Sequence, residues 1–196
     1  MTVTEASLRR TVESARTGDP DAWEALYRRA YPRLFAYARR RLATDEQAED
    51  AVSEVMTRAM RAITRFTWTA AGIDGWLFGI ARNVLLETYR AGARVTSTDP
   101  WALRLHDDEG TRVASGAGGP SVDPAEQVVS AEEHRLVRLA FDRLTDADQE
   151  LLELRVVAGL GAEAVGVLTG RRAGAVRTAQ SRALRRLRGE YEELVR

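Results

Sequence analysis

Apolar side chains recur every three or four residues along most of the chain, which is the spacing of an amphipathic α-helix. The clearest stripes lie in DAWEALYRRAYPRLFAYARRRL, AEDAVSEVMTRAMRAITRF, WLFGIARNVLLETYR and DADQELLELRVV. The pattern disappears from residue 93 to about residue 123, where Gly, Ser, Asp and Pro are frequent, as they are in linkers. It resumes at Pro124. The chain is therefore predicted to be all-α, with two small helical domains joined by a flexible linker.

The predicted domain boundaries follow from these patterns. We expect an N-terminal extension over residues 1–18, a helical domain over 19–94, an acidic linker over 95–127 and a second helical domain over 128–196. Within the linker, WALRL can form a short docking turn. Helix starts are predicted at four N-caps, namely Asp19, Thr44, Asp74 and Thr145. Pro32 is expected to interrupt the first long helix, and Gly92 is a candidate C-cap.

The C-terminal segment combines a tight turn with a strongly basic helix. Gly170 follows the short helix GAEAVGVLTG, and seven Arg without one acidic residue lie between Arg171 and Arg188. Behind them runs an apolar line of Val176, Ala179, Ala183 and Leu187. Two short helices with a basic second helix predict a helix-turn-helix that places a cationic face on a polyanion. The alternative is a solvated surface helix of an Arg-rich protein.

Composition excludes several classes of function. All 29 basic residues are Arg, and they balance 29 acidic residues. There is no Cys, and the two His lack metal-ligand spacing, so no metal or other cofactor is predicted. No HExxH, GxSxG or P-loop motif occurs, so we do not expect an enzyme. No apolar run could span a bilayer, and the N-terminus lacks an apolar signal core, so we expect a cytoplasmic protein without membrane insertion.

Both halves resemble one family, the bacterial RNA polymerase sigma factors of the extracytoplasmic-function (ECF) group. The N-terminal half resembles region 2 through LYRRAYPRLFAYARRRL, AEDAVSEVMTRAMRAITRF and GWLFGIARNVLLETYR, and the C-terminal half resembles region 4 through LTDADQELLELRVVAGL and GAVRTAQSRALRRL. The first eighteen residues and the centre of the linker lie outside the resemblance. A Thr common in the family is Ala175 here, and a common Arg is Ala179, so the recognised DNA sequence stays open.

The resemblance implies an alternative sigma factor that binds the polymerase core and directs promoter recognition, DNA opening and transcription initiation. It implies three sets of site residues. The recognition helix would contact the minus-thirty-five element through Arg171, Arg172, Arg177, Thr178, Gln180, Ser181, Arg182 and Arg185. The minus-ten element would be contacted by Trp68, Arg82, Asn83 and Arg90. The polymerase core would be contacted by Asp50, Ser53, Glu54, Met56, Arg58 and Met60.

Several alternatives remain at this point. Met56 and Met60 are either core filler or an adaptable strip for a partner, and Trp68 either stacks on a base or packs the loop. The three cations Arg39, Arg40 and Arg41 are expected to be surface charges that stabilise a helix end. The acidic linker fits either a path through the polymerase interior or a plain tether. The rival to a sigma factor is another helix-turn-helix regulator with a helical ligand or dimerisation domain. An anti-sigma factor is the expected regulator.

Overall fold

The computed structural model describes the backbone of residues 5–93 and 124–196 and the side chains of residues 5–90 and 132–196. These residues form helices and no strand, which confirms the all-α prediction. The helices are α1 (Glu5–Arg16), α2 (Pro20–Arg39), α3 (Asp45–Ala62), α4 (Gly72–Ala93), α5 (Pro124–Asp142), α6 (Asp146–Leu152), α7 (Ala162–Thr169) and α8 (Ala173–Val195). A 3₁₀ turn (Ile63–Arg65) follows α3, and a π-helical turn (Glu153–Val157) follows α6. The predicted docking turn WALRL and residues 95–123 of the predicted linker lie outside the described residues, and residues 124–127, also predicted as linker, are the first turn of α5.

The N-terminal extension is a helix, which the sequence-based domain boundaries missed. Its apolar residues at positions 8, 12 and 15 lie on one face, and α1 packs on α2 through them. Val12 and Ala15 are fully buried. Trp23 donates its indole N–H to the Ala15 carbonyl at 3.0 Å, so the start of α2 is tied to the end of α1. Residues 5–16 therefore belong to the core of the N-terminal half.

Helix α2 begins as predicted but does not break at Pro32. The Asp19 carboxylate accepts the Asp21 backbone N–H at 3.0 Å, and Pro occupies the first helical position. The helix then continues through Pro32 to Arg39. A proline inside a helix loses one hydrogen bond and crowds the preceding turn. Ala30 and Leu34 are buried on either side of Pro32, and this packing favours one continuous helix over two.

The start of α4 lies two residues before its predicted N-cap. Because α4 begins at Gly72, Asp74 lies in the first helical turn, and its carboxylate accepts hydrogen bonds from Arg29 at 2.8 Å and Arg33 at 2.9 Å on α2. Burial raises the pKa of Asp74, but the hydrogen bond from Arg29 and the charge of Arg33 outweigh it and hold the pKa below its usual value. At its other end the helix runs through Gly92 to Ala93, so Gly92 is not the C-cap.

Helix α3 is capped where the sequence predicts, at Thr44. The Thr44 hydroxyl oxygen accepts the backbone N–H of Gln47 at 3.2 Å, and the Gln47 side chain accepts the backbone N–H of Ala43 at 3.1 Å. Tyr37 of α2 is buried, and its ring meets that of Phe78 on α4 edge-on with centroids 5.3 Å apart. Burial raises the pKa of the Tyr37 phenol to about 12.

The C-terminal half is a small helical unit in which α8 touches all the others. Helix α6 begins at its predicted N-cap, since the Thr145 side chain accepts the backbone N–H of Asp148 at 3.3 Å. The Gln149 amide, which is buried, donates to the carbonyls of Phe141 at 3.1 Å and Leu144 at 3.0 Å. These bonds hold the connection between α5 and α6, so that both can pack on α8.

The two halves share one core and an ionic seam. Helix α7 packs on α4, and the π-helical turn packs on α2. Glu153 in that turn is 2% exposed and forms ion pairs with Arg41, whose side chain is 3% exposed, and with Arg40 at 3.1 Å. The prediction of a surface charge at a helix end is therefore wrong for Arg41, whereas Arg40 stays exposed and pairs with Glu153 from the surface. A carboxylate more than a hundred residues away holds Arg41 in the interface, because a buried charge needs an opposite charge.

Candidate nucleic-acid interface

A tight turn joins α7 to α8 and closes the predicted helix-turn-helix. Gly170 ends α7 with φ +67°, in the left-handed region that favours glycine. The Arg171 backbone N–H donates to the Gly166 carbonyl at 2.9 Å. A Cβ added to Gly166 would lie 2.5 Å from the Arg171 carbonyl oxygen, so only glycine permits this close approach. Both glycines thus fix where α8 begins relative to α7.

Helix α8 has the apolar back that its spacing predicts. Val176 and Ala183 are completely buried, and Ala179 and Leu187 are partly buried against the same core. This burial orients the helix, because rotating it would expose these side chains to water. The predicted DNA-contacting side chains consequently lie on its outer face, and all but the half-buried Gln180 are exposed.

The seven arginines from Arg171 to Arg188, at the start of α8 and along it, differ in whether a carboxylate pairs with them. Arg186 binds the Asp148 carboxylate through two hydrogen bonds of 2.7 Å, and Arg188 pairs with Glu192 at 2.7 Å. Arg177 makes a single longer contact of 3.3 Å with the exposed Glu163. Within the described part of the chain, no carboxylate pairs with the remaining four, Arg171, Arg172, Arg182 and Arg185. These four unneutralised guanidinium groups attract phosphate and can bind it bidentately.

Two polar candidates on α8 already have intramolecular partners. Gln180 accepts a hydrogen bond from Arg155 at 2.8 Å, and Arg155 also donates to the Leu160 carbonyl before α7. The Thr178 hydroxyl donates to the Gly174 carbonyl at 3.1 Å. The amide N–H₂ of Gln180 and the oxygen of Thr178 can still meet a base edge. Arg155 therefore orients Gln180, a link that local sequence patterns did not reveal.

The four candidates for the minus-ten element divide between α4 and the loop before it. Asn83 and Arg90 are exposed and lie two turns apart on α4. Arg82 is half-buried and pairs with Glu150 of α6 at 2.8 Å; this hydrogen bond raises the Arg82 pKa above its usual value. The structure thus leaves Asn83 and Arg90 accessible while the C-terminal half engages Arg82.

Trp68, the fourth candidate, lies in an aromatic cluster in the 66–71 loop. Its ring centroid is 5.1 Å from that of Phe66 in an edge-on arrangement, and the Phe66 centroid is 5.2 Å from that of Trp76. Phe66 is buried, whereas Trp68 is only partly buried. Trp68 thus packs against the loop and retains exposed surface. Both alternatives, loop packing and base stacking, remain compatible with this position.

The predicted polymerase-binding strip on α3 is only partly a surface. Asp50, Ser53 and Met60 are exposed, and Met60 is 54% accessible. Met56 is 7% accessible and packs in the core, so its prediction as a surface contact is wrong. Met56 lies on the buried face of α3, beside the buried Val52 and Val55. Met60 lies one turn further along the helix and outside the face that packs in the core.

The two remaining members of the strip are engaged with each other. Arg58 pairs with Glu54 on the same helix at 2.7 Å and with Glu87 on α4 at 2.7 Å. The hydrogen bond to Glu87, and after it the hydrogen bond to Glu54, raises the pKa of Arg58 above its usual value. Because exposed pairs of this kind exchange readily with solvent, both carboxylates stay available to a basic partner.

Sequence reasoning missed the residues that connect distant elements. Glu150 and Glu153 bind cations of the N-terminal half, and Arg9 and Arg16 of α1 reach the 66–71 loop. One signal was present for Glu153: it is a single acid within the apolar run LLELRVV, where only a buried partner can satisfy it. The spacing of Leu8, Val12 and Ala15 could likewise have predicted α1.

Among the residues that the structure describes, no three His, Cys, Asp or Glu side chains come together in a way that could hold a metal ion. None of the helices in the described ranges is long and apolar enough to cross a membrane.

The chain is similar to bacterial RNA polymerase sigma factors over nearly its whole length. The family model described as Sigma-70 region 2 matches residues 26–95. The ECF RNA polymerase sigma factor ShbA of Streptomyces griseus subsp. griseus is 31% identical over 197 residues, which cover 98% of this chain and 97% of that protein. The ECF RNA polymerase sigma factor BldN of Streptomyces coelicolor is 29% identical over 182 residues, which cover 93% of this chain but only 65% of BldN.

A solved structure has the same fold. The structure of CnrH in complex with the cytosolic domain of CnrY aligns with 94% of this chain and 97% of the matched chain, with a TM-score of 0.62 and 18% sequence identity. The arrangement of helices is thus shared at a level of sequence identity where individual side chains differ.

Proposed function

The chain belongs to the ECF group of RNA polymerase sigma factors, and we propose that it binds the polymerase core and directs promoter recognition, DNA opening and transcription initiation. One observation carries this proposal at the level of the site. Four guanidinium groups that no carboxylate of the described residues neutralises lie at the second helix of a helix-turn-helix, with Arg171 and Arg172 just before α8 and Arg182 and Arg185 on its outer face. Such a helix fits the major groove.

The α8 face is proposed to contact the minus-thirty-five element. Guanidinium groups grip phosphates or the O6 and N7 atoms of guanine, and the amide of Gln180 suits adenine. If Arg171, Arg172, Arg182 and Arg185 each neutralise one phosphate, the logarithm of the binding constant should fall against the logarithm of salt concentration with a slope of about −3.6. Each Arg→Gln change should then make the slope shallower by about 0.9.

The 66–71 loop and α4 are proposed to contact the minus-ten element. Asn83 is an exposed amide that can read a base edge, and Arg90 is an exposed cation two turns further along α4. Arg82 can reach DNA only by leaving Glu150. A phosphate of the DNA strand would then replace the Glu150 carboxylate as the anionic partner of Arg82. Trp68 offers a ring for an unstacked base.

The polymerase core is proposed to dock on the exposed acids of α3 together with Met60. Asp50, Glu54 and Ser53 supply carboxylates and a hydroxyl near the start and middle of the helix, and the flexible thioether of Met60 adapts to a partner surface. The two predicted domains, residues 19–94 and 128–196, are each proposed to contact one DNA element, with α1 packed on the first and α5 beginning at Pro124, four residues before the second. We propose a cytoplasmic location, where polymerase and promoter DNA are found.

An anti-sigma factor is the proposed regulator. The matched CnrH structure is a complex with the cytosolic domain of CnrY. A protein that covers the α3 acids or the cations of α8 in this chain would block polymerase or DNA. Pull-down from the native host that recovers polymerase subunits and no other stoichiometric protein would count against such a regulator.

Transcription with purified core polymerase tests the function. The full chain and core from the same bacterium are mixed with fragments of its genomic DNA, and the RNA 5′ ends are sequenced. We expect starts that depend on the chain and share an upstream motif. Arg185→Gln should weaken these starts, whereas Arg135→Gln, an exposed cation of α5 paired with Glu132, should not. DNA binding without core association or new transcripts would reject the proposal.

A further inference from the structure

Helix α1 reaches the loop that precedes α4 through two arginines on one face. Arg9 and Arg16 are seven residues apart, which is two helical turns, so both side chains project from the same side. The Arg16 guanidinium donates to the backbone carbonyl of Phe66 and lies 5.9 Å from the Phe66 ring centroid. The Arg9 guanidinium stacks 4.4 Å above the ring of Trp68. Both contacts cross from one helix to one loop.

The helix that carries these arginines is itself firmly held. Val12 and Ala15, which lie between and beside them, are fully buried. The Ala15 carbonyl accepts the Trp23 indole N–H at 3.0 Å, which ties α1 to α2. The two guanidinium groups therefore act from a fixed base. The loop they contact has exposed residues at positions 67, 69 and 70, and its end is fixed by the bond from the Gly72 backbone N–H to the Thr69 carbonyl at 3.0 Å.

The contacts fix the two features of the loop that matter for binding a base. The bond from Arg16 sets the direction of the Phe66 peptide, at the point where the loop leaves the 3₁₀ turn. The stacking of Arg9 sets the plane of the partly exposed Trp68 ring. A cation over an aromatic face is held by the ring's quadrupole, and a bond from a charged donor to a carbonyl is stronger than a neutral one.

We propose that α1 is a brace that positions the 66–71 loop to receive an unstacked base of the minus-ten element, with Arg9 and Arg16 as positioning residues. This proposal rests on the proposed function. Without the brace the loop samples other conformations, and its binding-competent fraction falls. Because the brace shapes the surface that captures a separated strand, it acts on the DNA-opening step, which follows polymerase binding.

The test compares variants that differ only in which guanidinium they lose. Arg9→Met and Arg16→Met keep an apolar side chain and remove the charge, and Arg16→Lys keeps a donor for the Phe66 carbonyl. Arg10→Met is the matched control, because Arg10 is an exposed cation on the same helix. Each full-length variant is assembled with core polymerase on a promoter fragment that the wild-type protein transcribes. The fragment carries 2-aminopurine in the minus-ten segment, whose fluorescence rises when the base unstacks.

We expect Arg9→Met and Arg16→Met each to lower the opening rate about ten-fold, the loss that follows from one charge-assisted bond or one stacked cation. Affinity for core should stay unchanged. On a library of promoter fragments randomised across the minus-ten segment, the base preference should weaken at the one position whose unstacked base the 66–71 loop receives. Arg16→Lys should recover most of the rate, and Arg10→Met should match the wild type.

Other outcomes overturn the proposal. Opening rates and base preferences equal to those of Arg10→Met would show that the loop needs no brace. A parallel loss of core affinity, opening and melting temperature, with base preference intact, would show that α1 serves stability alone. If the wild-type protein opens no fragment with core polymerase, the sigma-factor function itself fails, and the brace fails with it.

Discussion

Removing the buried carboxylate of Glu153 should destabilise the chain more than any change to its surface charges. The Glu153 side chain is 2% exposed and that of Arg41 is 3% exposed, so Glu153→Gln leaves a guanidinium buried without a counter-charge. Breaking such a pair costs about 3–5 kcal/mol. We expect the lower end, about 3 kcal/mol. Arg41 keeps its hydrogen bond to the Tyr37 carbonyl at 3.1 Å and its stacking 3.8 Å from the Tyr37 ring centroid.

Urea unfolding of the full chain, followed by tryptophan fluorescence, measures this loss. With a slope of about 2 kcal/mol per molar urea, the midpoint should fall by about 1.5 M. Glu163→Gln is the matched control on α7. Its pair with Arg177 is 57% and 61% exposed, so the change should cost at most about 0.5 kcal/mol.

Two results would refute the reasoning about Glu153. The first is a Glu153→Gln midpoint within experimental error of the wild type, which would place the pair in water. The second concerns the double variant Arg41→Met with Glu153→Leu. Replacing a whole buried pair by apolar groups is often neutral, so this variant should regain most of the stability that Glu153→Gln loses. A double variant as unstable as the single one would mean that packing, and not the unpaired charge, causes the loss.

Three further predictions concern other positions. Gly166→Ala should lower the free energy of unfolding by about 1–3 kcal/mol, because the added Cβ would meet the Arg171 carbonyl. Gly174→Ala is the control, since a Cβ there meets open space, and equal melting temperatures of the two variants would refute this prediction. Folding lowers the Asp74 pKa, so the stability that Asp74 contributes is complete above pH about 4 and disappears as the pH falls through the folded pKa. In Asp74→Asn the free energy of unfolding should therefore change less with pH in this acidic range, and a slope equal to that of the wild type would contradict the prediction. The Tyr37 pKa is raised to about 12, so stability should fall as pH rises from about 10 to 12; in Tyr37→Phe this loss should shrink, and an equal loss would argue against it.

Most of the helices could be predicted from the sequence because the signals are local. Asp19, Thr44 and Thr145 each cap a helix through a side-chain bond to a residue two or three positions further along. The failures lie where packing competes with a local rule. Pro32 should break a helix by itself, yet buried residues on both sides keep α2 continuous. At Asp74, two arginines of α2 take the carboxylate that would otherwise cap α4.

The candidate site divides in the same way. The cationic face of α8 could be predicted because its charge and its apolar back both repeat at helical spacing. The burial of Met56 could not be predicted, since Met56 and Met60 are one helical turn apart and only the packing of α3 decides which of them faces the core. The engagement of Arg82 by Glu150 likewise depends on a contact between residues far apart in the chain.

The sequence by itself determined the helical class, the N-caps at Asp19, Thr44 and Thr145, and the outer face of the recognition helix, because each depends on residues within about one helical turn. Only the tertiary structure decided that Arg41 is buried against Glu153, that α1 belongs to the core, and that Arg9 and Arg16 meet the 66–71 loop. The contacts of Arg41, Arg9 and Arg16 join residues 50 or more positions apart. They exist because folding must give every buried charge and every apolar face a partner, and no local pattern names that partner.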